Sequence, residues 1–287
     1  MSGVLWMCLA QALFALMNIG TRIASREVSW AQVASARFLV GMLVAIGVGV
    51  SRGSRLVPTD RTNTWWRAIF GTLAALGSFY ALASDRLPVG DAATLNATAP
   101  IFVALLAGPL LGERVGGRLY VAIAGGFLGV ALIVRPSFAG AAHVAAVATA
   151  AAVSYALAMI WLRKIGPSES SEAVVLHFSA VAFVTTLALS LSHWRTPSPM
   201  GWLVLAATGL AGGGAQLAMT RAYALQRAAP VSALNYLQVA LTYVLAIPVF
   251  GDHPGMSQVA GAAVIVASGL AITLTGRRRA PRVPAVE

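Results

Sequence analysis

Ten stretches of roughly 20 apolar residues follow one another along this chain, each long enough to carry an α-helix across ~30 Å of hydrocarbon. They run approximately over 4–21, 33–51, 66–84, 91–111, 118–135, 143–163, 172–191, 201–223, 230–250 and 256–275, separated by short breaks rich in charge, proline or glycine. At this length the spans take up about 200 of the 287 residues, and no loop can hold a soluble domain. Composition agrees. With 58% of residues hydrophobic and 10% charged, the chain cannot supply the polar coat of a water-soluble globule. The first stretch has no basic residue before it and no small-x-small site after it, so it reads as a retained span rather than a cleaved signal. The expected fold class is an all-α membrane protein with ten transmembrane helices.

The formal charge of +11 would suggest nucleic acid in a soluble domain, but here it follows from where basic residues accumulate in membrane proteins. Fourteen of the 20 Lys and Arg residues fall on one side of the alternating layout, the side with both termini. That side includes Arg52, Arg55, Arg61, Arg67, Arg163, Lys164 and the tail from Arg277. Both termini are therefore expected in the cytoplasm, with the chain in a bacterial inner membrane, its partners being the lipid bilayer and a small-molecule substrate, without nucleic acid, and the chain acting as a monomer.

An internal repeat sets the architecture. Leu95-Asn96 through Pro109, Gly112 and Glu113 recurs 139 residues later as Leu234-Asn235 through Pro248, Gly251 and Asp252. Phe14 and Arg22 pair with Tyr155 and Arg163 at an offset of 141. Two units of five spans follow, residues 1–138 and 139–276, with a basic tail over 277–287. Five is odd, so the second unit starts on the opposite face from the first. Two inverted copies around a central cavity can exchange conformations, turning a cavity open to one face into one open to the other.

No enzyme constellation is visible: there is no His-Glu-x-x-His, no Gly-x-Ser-x-Gly and no phosphate-binding glycine loop followed by Lys. The single cysteine forbids an internal disulfide or a thiolate cluster, and no metal or cofactor is expected. All nine carboxylates fall in loops, tails or span ends, so nothing mid-membrane is placed for proton coupling and transport down a gradient is expected. Glu113 and Asp252 read as caps for the helices that follow them.

Neutral polar residues carry the candidate site. Gln11, Phe14 and Asn18 recur at helical spacing on the first span, with Gln216 on the eighth and Asn235 and Gln238 on the ninth. Asn96 and Thr98 sit near Pro100. Amides in hydrocarbon are costly unless paired, so each such face must look at protein or water. Interhelical hydrogen bonds explain any one of them, while a wet cavity explains the set. Tyr80, Tyr155, Trp161 and Tyr243 add rings that suit apolar side chains or an ammonium group. Arg37, about a turn inside the second span, either snorkels or draws in a substrate carboxylate; His177 reads as an interface histidine or a gate. Pro100, Pro109, Pro248 and Gly212-Gly213-Gly214 are expected to break helices beside the cavity, and Gly41-Ala45-Gly49 and Gly125-Gly129 to pack helices closely.

Pro100 and Pro109 before Gly112-Glu113-Arg114, followed by Gly125-Gly126-Phe127-Leu128-Gly129, resemble the EamA domain of the drug/metabolite transporter superfamily. Arg37 also matches a basic residue common in that family. The second copy departs from the pattern at Asp252 and Val239. The resemblance implies export of small metabolites through a cavity between the halves, and the acid-free, aromatic-lined spans are most similar to those of the amino-acid exporters. The competing readings are a proton-coupled carrier of another metabolite or drug-like compound, and a channel-like membrane protein. A pH gradient imposed on loaded liposomes is expected to leave the steady-state distribution of substrate unchanged, measured as the internal-to-external ratio at equilibrium.

Overall fold

The computed structural model describes residues 2–83, 94–134, 142–251 and 255–277, and among these every regular element is helical. The helices are α1 (Gly3–Ala24), α2 (Trp30–Ser51), α3 (Arg61–Ala83), α4 (Ala99–Leu111), α5 (Gly117–Val134), α6 (Ala142–Ile165), α7 (Ser171–Ser190), α8 (Pro199–Leu225), α9 (Ala228–Ala233), α10 (Tyr236–Phe250) and α11 (Met256–Arg277). Among the described residues, eight helical spans are long and apolar enough to cross a membrane, with Met256–Ala271 a shorter apolar one. The 23-residue α3 is not among them, and Arg67 lies inside it. Expectations for Asp252 and the tail beyond Arg277 fall outside the described residues.

Local chemistry places the helix ends. Ser29 and Ser170, 141 positions apart, cap α2 and α7 by accepting from the backbone N–H of Gln32 (3.4 Å) and Ala173 (3.1 Å). Gly112 and Gly251, 139 apart, close α4 and α10 in the left-handed region at φ 66° and 71°, where a side chain would be strained. Glu27 accepts from the N–H of Ser198 (3.0 Å) ahead of α8, and Glu169 accepts from the N–H groups of Thr59 (2.7 Å) and Asp60 (2.6 Å) ahead of α3. Each acid, in the connection after the first helix of its half, ties down the start of the third helix of the other half.

The packing has the same reciprocity. α1 lies on α8 and α3 on α6; α2 lies on α8 and α3 on α7; α1 lies on α10 and α4 on α6. The remaining main pairs are α2 with α7, α4 with α9 and α5 with α11. Exchanging the first five spans for the last five, with α9 and α10 together matching the span that ends in α4, maps every one of these pairings onto another or onto itself. Polarity is inside out relative to a soluble protein: Leu5, Leu16, Leu43, Val184, Leu203 and Leu210 are exposed, whereas Gln11, Ser179, Gln216, Thr220 and Arg67 are buried. That is the distribution lipid selects, because aliphatic side chains cost nothing there and polar ones must turn inward.

Helix breaks occur, though not at all the expected places. The fourth span is interrupted at Ala97-Thr98, just before Pro100, and the ninth at Leu234-Asn235. Both interruptions are closed by three-residue backbone bonds, including Thr98 N–H to Leu95 C=O (3.0 Å) and Asn235 N–H to Ser232 C=O (3.0 Å), so they are single tight turns rather than unwound segments. Pro109 and Pro248 stay inside α4 and α10, within the last turn. Gly212-Gly213-Gly214 leaves α8 unbroken; these glycines serve close approach instead. A Cβ on Gly213 would stand 2.9 Å from Gly41 Cα, and one on Gly212 3.0 Å from Met17 Sδ. The expected tight packing at Gly41 and Gly129 is present: Gly129 of α5 and Gly261 of α11 cross so closely that a Cβ on either meets the other's carbonyl oxygen, at 2.7 and 2.6 Å. Gly129→Leu is therefore expected to force α5 from α11 and destabilise the fold by roughly 1–3 kcal/mol, seen as a lower thermal unfolding temperature in detergent.

Candidate functional site

A chain of polar side chains crosses the helices where the ninth span is interrupted. α1 turns Met7, Gln11 and Phe14 inward because these are its polar, soft and aromatic positions, while Leu5, Leu9 and Leu16 take the exposed side. The Gln11 amide donates to Asn235 Oδ1 (3.0 Å) and lies 3.4 Å from Met7 Sδ. The Asn235 amide donates to the Tyr155 hydroxyl (3.2 Å), which in turn donates to Met219 Sδ (3.5 Å). Residues of α1, α6, α8 and the α9–α10 turn thus meet at one place, one span from the first half and three from the second. Gln11 Oε1 is left buried without a hydrogen-bond partner. Further along α1, the Asn18 amide donates to Thr242 Oγ1 (3.2 Å).

Two guanidiniums flank an edge-to-face phenylalanine pair. Phe38 of α2 and Phe178 of α7 meet edge to face with centroids 5.4 Å apart. Arg37 lies 4.8 Å from the Phe38 ring and 5.9 Å from that of Phe14. Arg67 lies 4.2 Å from the Phe178 ring. Beside Arg37 is a cavity of ≈ 10 Å³, lined also by Ser179, Gly212 and Gln216, about the size of one water. Both guanidiniums lie close to Tyr155. Arg67 is 2% exposed, and its Nε and Nη1 have no hydrogen-bond partner.

The sequence candidates divide accordingly. Gln11, Asn235 and Tyr155 converge; Phe14, Arg37 and Gln216 surround the small cavity; Asn18 joins α10 through Thr242. Tyr243 packs against the same core, and the Gln238 side chain makes no hydrogen bond among the described residues. The others lie elsewhere. Asn96 accepts from Ser78 Oγ (3.2 Å), and Thr98 Oγ1 donates to the Leu95 carbonyl (2.5 Å), which stitches the turn before α4. Trp161 stacks on Trp66 (6.0 Å) with Lys164 Nζ 4.1 Å from its ring, an arrangement of the helix end rather than the centre. Tyr80 is 45% exposed, off the inward face of Arg67, Gly71 and Ser78. His177 stands edge-on to Trp65 (4.5 Å), near the start of α3, apart from the central residues. Arg67, grouped by charge with the cytoplasmic loops, is instead two turns inside α3. The signal for it was its place after Trp65-Trp66, a pair that marks the membrane interface.

The carboxylates are engaged at helix ends. Glu172 pairs with Arg221 (2.8 Å) and Arg52 (3.4 Å). Glu113 does not cap the helix that follows it: its oxygens accept from the N–H groups of Ala228 (2.9 Å) and Ala229 (3.4 Å), at the start of α9, and it pairs with Arg163 at 3.4 Å. The αL turn at Gly112 aims it across to the other half. Leu111, Glu113, Arg163, Lys164 and Arg227 line a vestibule of ≈ 450 Å³ there.

A family model described as "EamA-like transporter family" matches residues 1–135 and again 144–274. The chain belongs to the EamA-like transporter family. Among its EamA relatives are a pseudopaline exporter of Pseudomonas aeruginosa, 28% identical with 96% of each chain covered, and a riboflavin transporter of Vibrio cholerae, 28% identical over 95% of this chain and 93% of that one. An S-adenosylmethionine uptake transporter of Rickettsia prowazekii is 22% identical over 97% and 94%. A solved crystal structure shares the fold at a TM-score of 0.83 and 21% identity, covering 96% of this chain and 98% of that one. These EamA relatives differ in substrate and direction and do not single out an amino-acid exporter such as YddG, toward which the layout pointed. This EamA protein is a multi-pass membrane transporter, and the named relatives are transporters rather than enzymes. Glu113→Ala is expected to lower its thermal unfolding temperature, by roughly 1.5–3 kcal/mol of lost charge-assisted hydrogen bonding at α9, while Glu113→Asp lies between Ala and wild type.

Proposed function

We propose that this chain is an alternating-access carrier that exports small metabolites, amino acids foremost, across the bacterial inner membrane down their own gradient. In this reading both termini are cytoplasmic, and the two halves, residues 1–138 and 139–276, are inverted five-helix repeats. The exchange-symmetric packing of the spans, the paired caps at Ser29 and Ser170 and the crossed Glu27 and Glu169 tethers support that arrangement. An odd number of spans per half supplies the inversion, and inversion supplies the exchange of facing states.

The observation that carries the reading is the Gln11–Asn235–Tyr155 chain. It joins the halves by neutral hydrogen bonds, which in a membrane protein are worth about 0.6 kcal/mol each on average. Contacts that weak can be traded for contacts to a bound molecule. Amides would take the polar groups of the substrate, while Phe14, Tyr155 and Tyr243 face its side chain. The buried acids Glu113, Glu169 and Glu172 are committed to helix ends, which supports passive rather than proton-driven movement.

The test is counterflow of labelled amino acids in proteoliposomes. Wild type is expected to show saturable uptake accelerated by internal substrate, and Asn235→Ala and Gln11→Ala to raise the half-saturation concentration about tenfold, the effect of one lost polar contact of ~1.4 kcal/mol. Uptake that is linear in concentration, without exchange acceleration, marks a channel instead.

A further inference from the structure

Arg67 sits in a built, buried site. Its guanidinium lies over Gly71, where an added Cβ would stand 2.1 Å from Nη1, so the glycine keeps the slot open. The Phe178 ring is on one side, and Tyr155 and Tyr223 are near enough to interact with it electrostatically. Among the described residues no carboxylate pairs with it and no acceptor meets Nε or Nη1. An uncompensated buried charge is among the most expensive features a fold can hold, and one aromatic face offsets a fraction of that cost.

The unsatisfied groups around it are mostly donors. Besides Arg67 Nε and Nη1, the Gln216 amide nitrogen and the Tyr223 hydroxyl are buried without partners. Gln11 Oε1 is an acceptor left over in the central polar chain, and Thr72 Oγ1, next to Gly71, is likewise buried without a partner. This inventory calls for a molecule with a planar anionic acceptor and one N–H or O–H to give. A single guanidinium matches a monoanion: Arg163 and Arg221, cations that could help to neutralise a phosphate dianion, are paired with Glu113 and Glu172.

We propose that the transported molecule carries a carboxylate, that Arg67 receives it beside Tyr223, and that Arg37 is its counterpart on the other side of the Phe38–Phe178 pair. α2 and α3 run in opposite directions across a short connection, and Arg37 and Arg67 each lie about 10 Å from the first residue of their helix. The two cations therefore approach the centre from opposite membrane faces, and each facing state has one within reach of an entering carboxylate. The edge-to-face rings of Phe38 and Phe178 lie between them. This proposal rests on the carrier reading above and narrows its substrate class.

The experiment uses the full chain in proteoliposomes and in detergent, with three acid–amide pairs: L-phenylalanine and L-phenylalaninamide, L-leucine and L-leucinamide, L-lactate and L-lactamide. Riboflavin serves as a neutral probe. At least one acid is expected to drive counterflow and raise the thermal unfolding temperature, with its amide about tenfold weaker or more, the loss typical when one member of a buried charged pair is neutralised. R67Q is expected to abolish that preference, and R67K to weaken the acid while leaving the amide unchanged, because it keeps the charge but loses the planar fork. Should R67Q fail to fold, the wild-type preference together with R67K decides.

Amides as effective as acids, or R67Q and R67K as selective as wild type, overturn the proposal. Counterflow of riboflavin with no acid effect overturns it too, but leaves the carrier standing. No counterflow with any compound removes the carrier reading and this proposal together.

Discussion

A polar group surrounded by hydrocarbon has to find its partner inside the protein, and nearly every structured feature here follows from that demand. It forces each span to be a helix, so that backbone donors and acceptors pair within the segment. It turns Gln11, Gln216 and Thr220 inward and leaves Leu16, Leu43 and Leu203 outside. At the two interrupted spans the freed carbonyls are met locally, by three-residue backbone bonds and by the Thr98 hydroxyl. Where the demand is met by a neighbouring side chain, helices are tied together. It is left unmet among the described residues at Gln11 Oε1 and at Arg67 Nε and Nη1.

The repeat supplies the second organising force, because two copies of one chain pattern make equivalent contacts wherever their sequences still agree. Agreement is strongest at helix ends: Ser29 with Ser170, Gly112 with Gly251, Glu27 with Glu169. These positions fix where helices start and stop and how one half grips the other. They are strong interactions at the membrane surface, with charged or backbone partners. The centre, by contrast, is joined by glycine contacts, rings and single amide bonds. A molecule held firmly at its rims and loosely at its middle is suited to rocking one half against the other.

The all-helical, apolar build, the offset between the halves and the convergence of Gln11, Asn235 and Tyr155 were legible in the sequence because each rests on periodicity or repetition, whereas eight of the ten expected spans are long and apolar enough to cross a membrane among the described residues. Arg67 was not. Charge counting assigns any arginine near a span end to the adjoining loop, and nothing in a one-dimensional count reveals that Gly71 leaves room for its side chain to fold inward. Glu113 was misassigned for a related reason. An acid in a short turn caps the next helix by default, and only the direction of the αL turn at Gly112 shows that it reaches Ala228 in the other half. The triple glycine of α8 was read as a break because glycine lowers helix propensity; in lipid, close packing against Met17 and Gly41 outweighs that preference. Tyr80 and Trp161 show the converse limit, since an aromatic residue carries no mark of which side of its helix is buried.

Exchange of the halves does not preserve charge, and this breaks the symmetry where it matters. At the 141-residue offset that relates the first helices of each half, Arg37 corresponds to Phe178, so the second half offers a ring where the first offers a cation. Both central guanidiniums belong to the first half, on α2 and α3, while Gln216, Asn235 and Gln238 belong to the second. An anionic group bound in the centre is thus held by charge from one half and by neutral dipoles from the other. Charge–charge attraction falls off slowly with distance, whereas hydrogen bonds are lost within a fraction of an ångström. In the proposed carrier, such a group would stay with the first half and change its partners on the second as the halves rock. Direction then depends on which face lets the substrate leave the cation more easily, a property of the asymmetric centre and not of the symmetric frame around it.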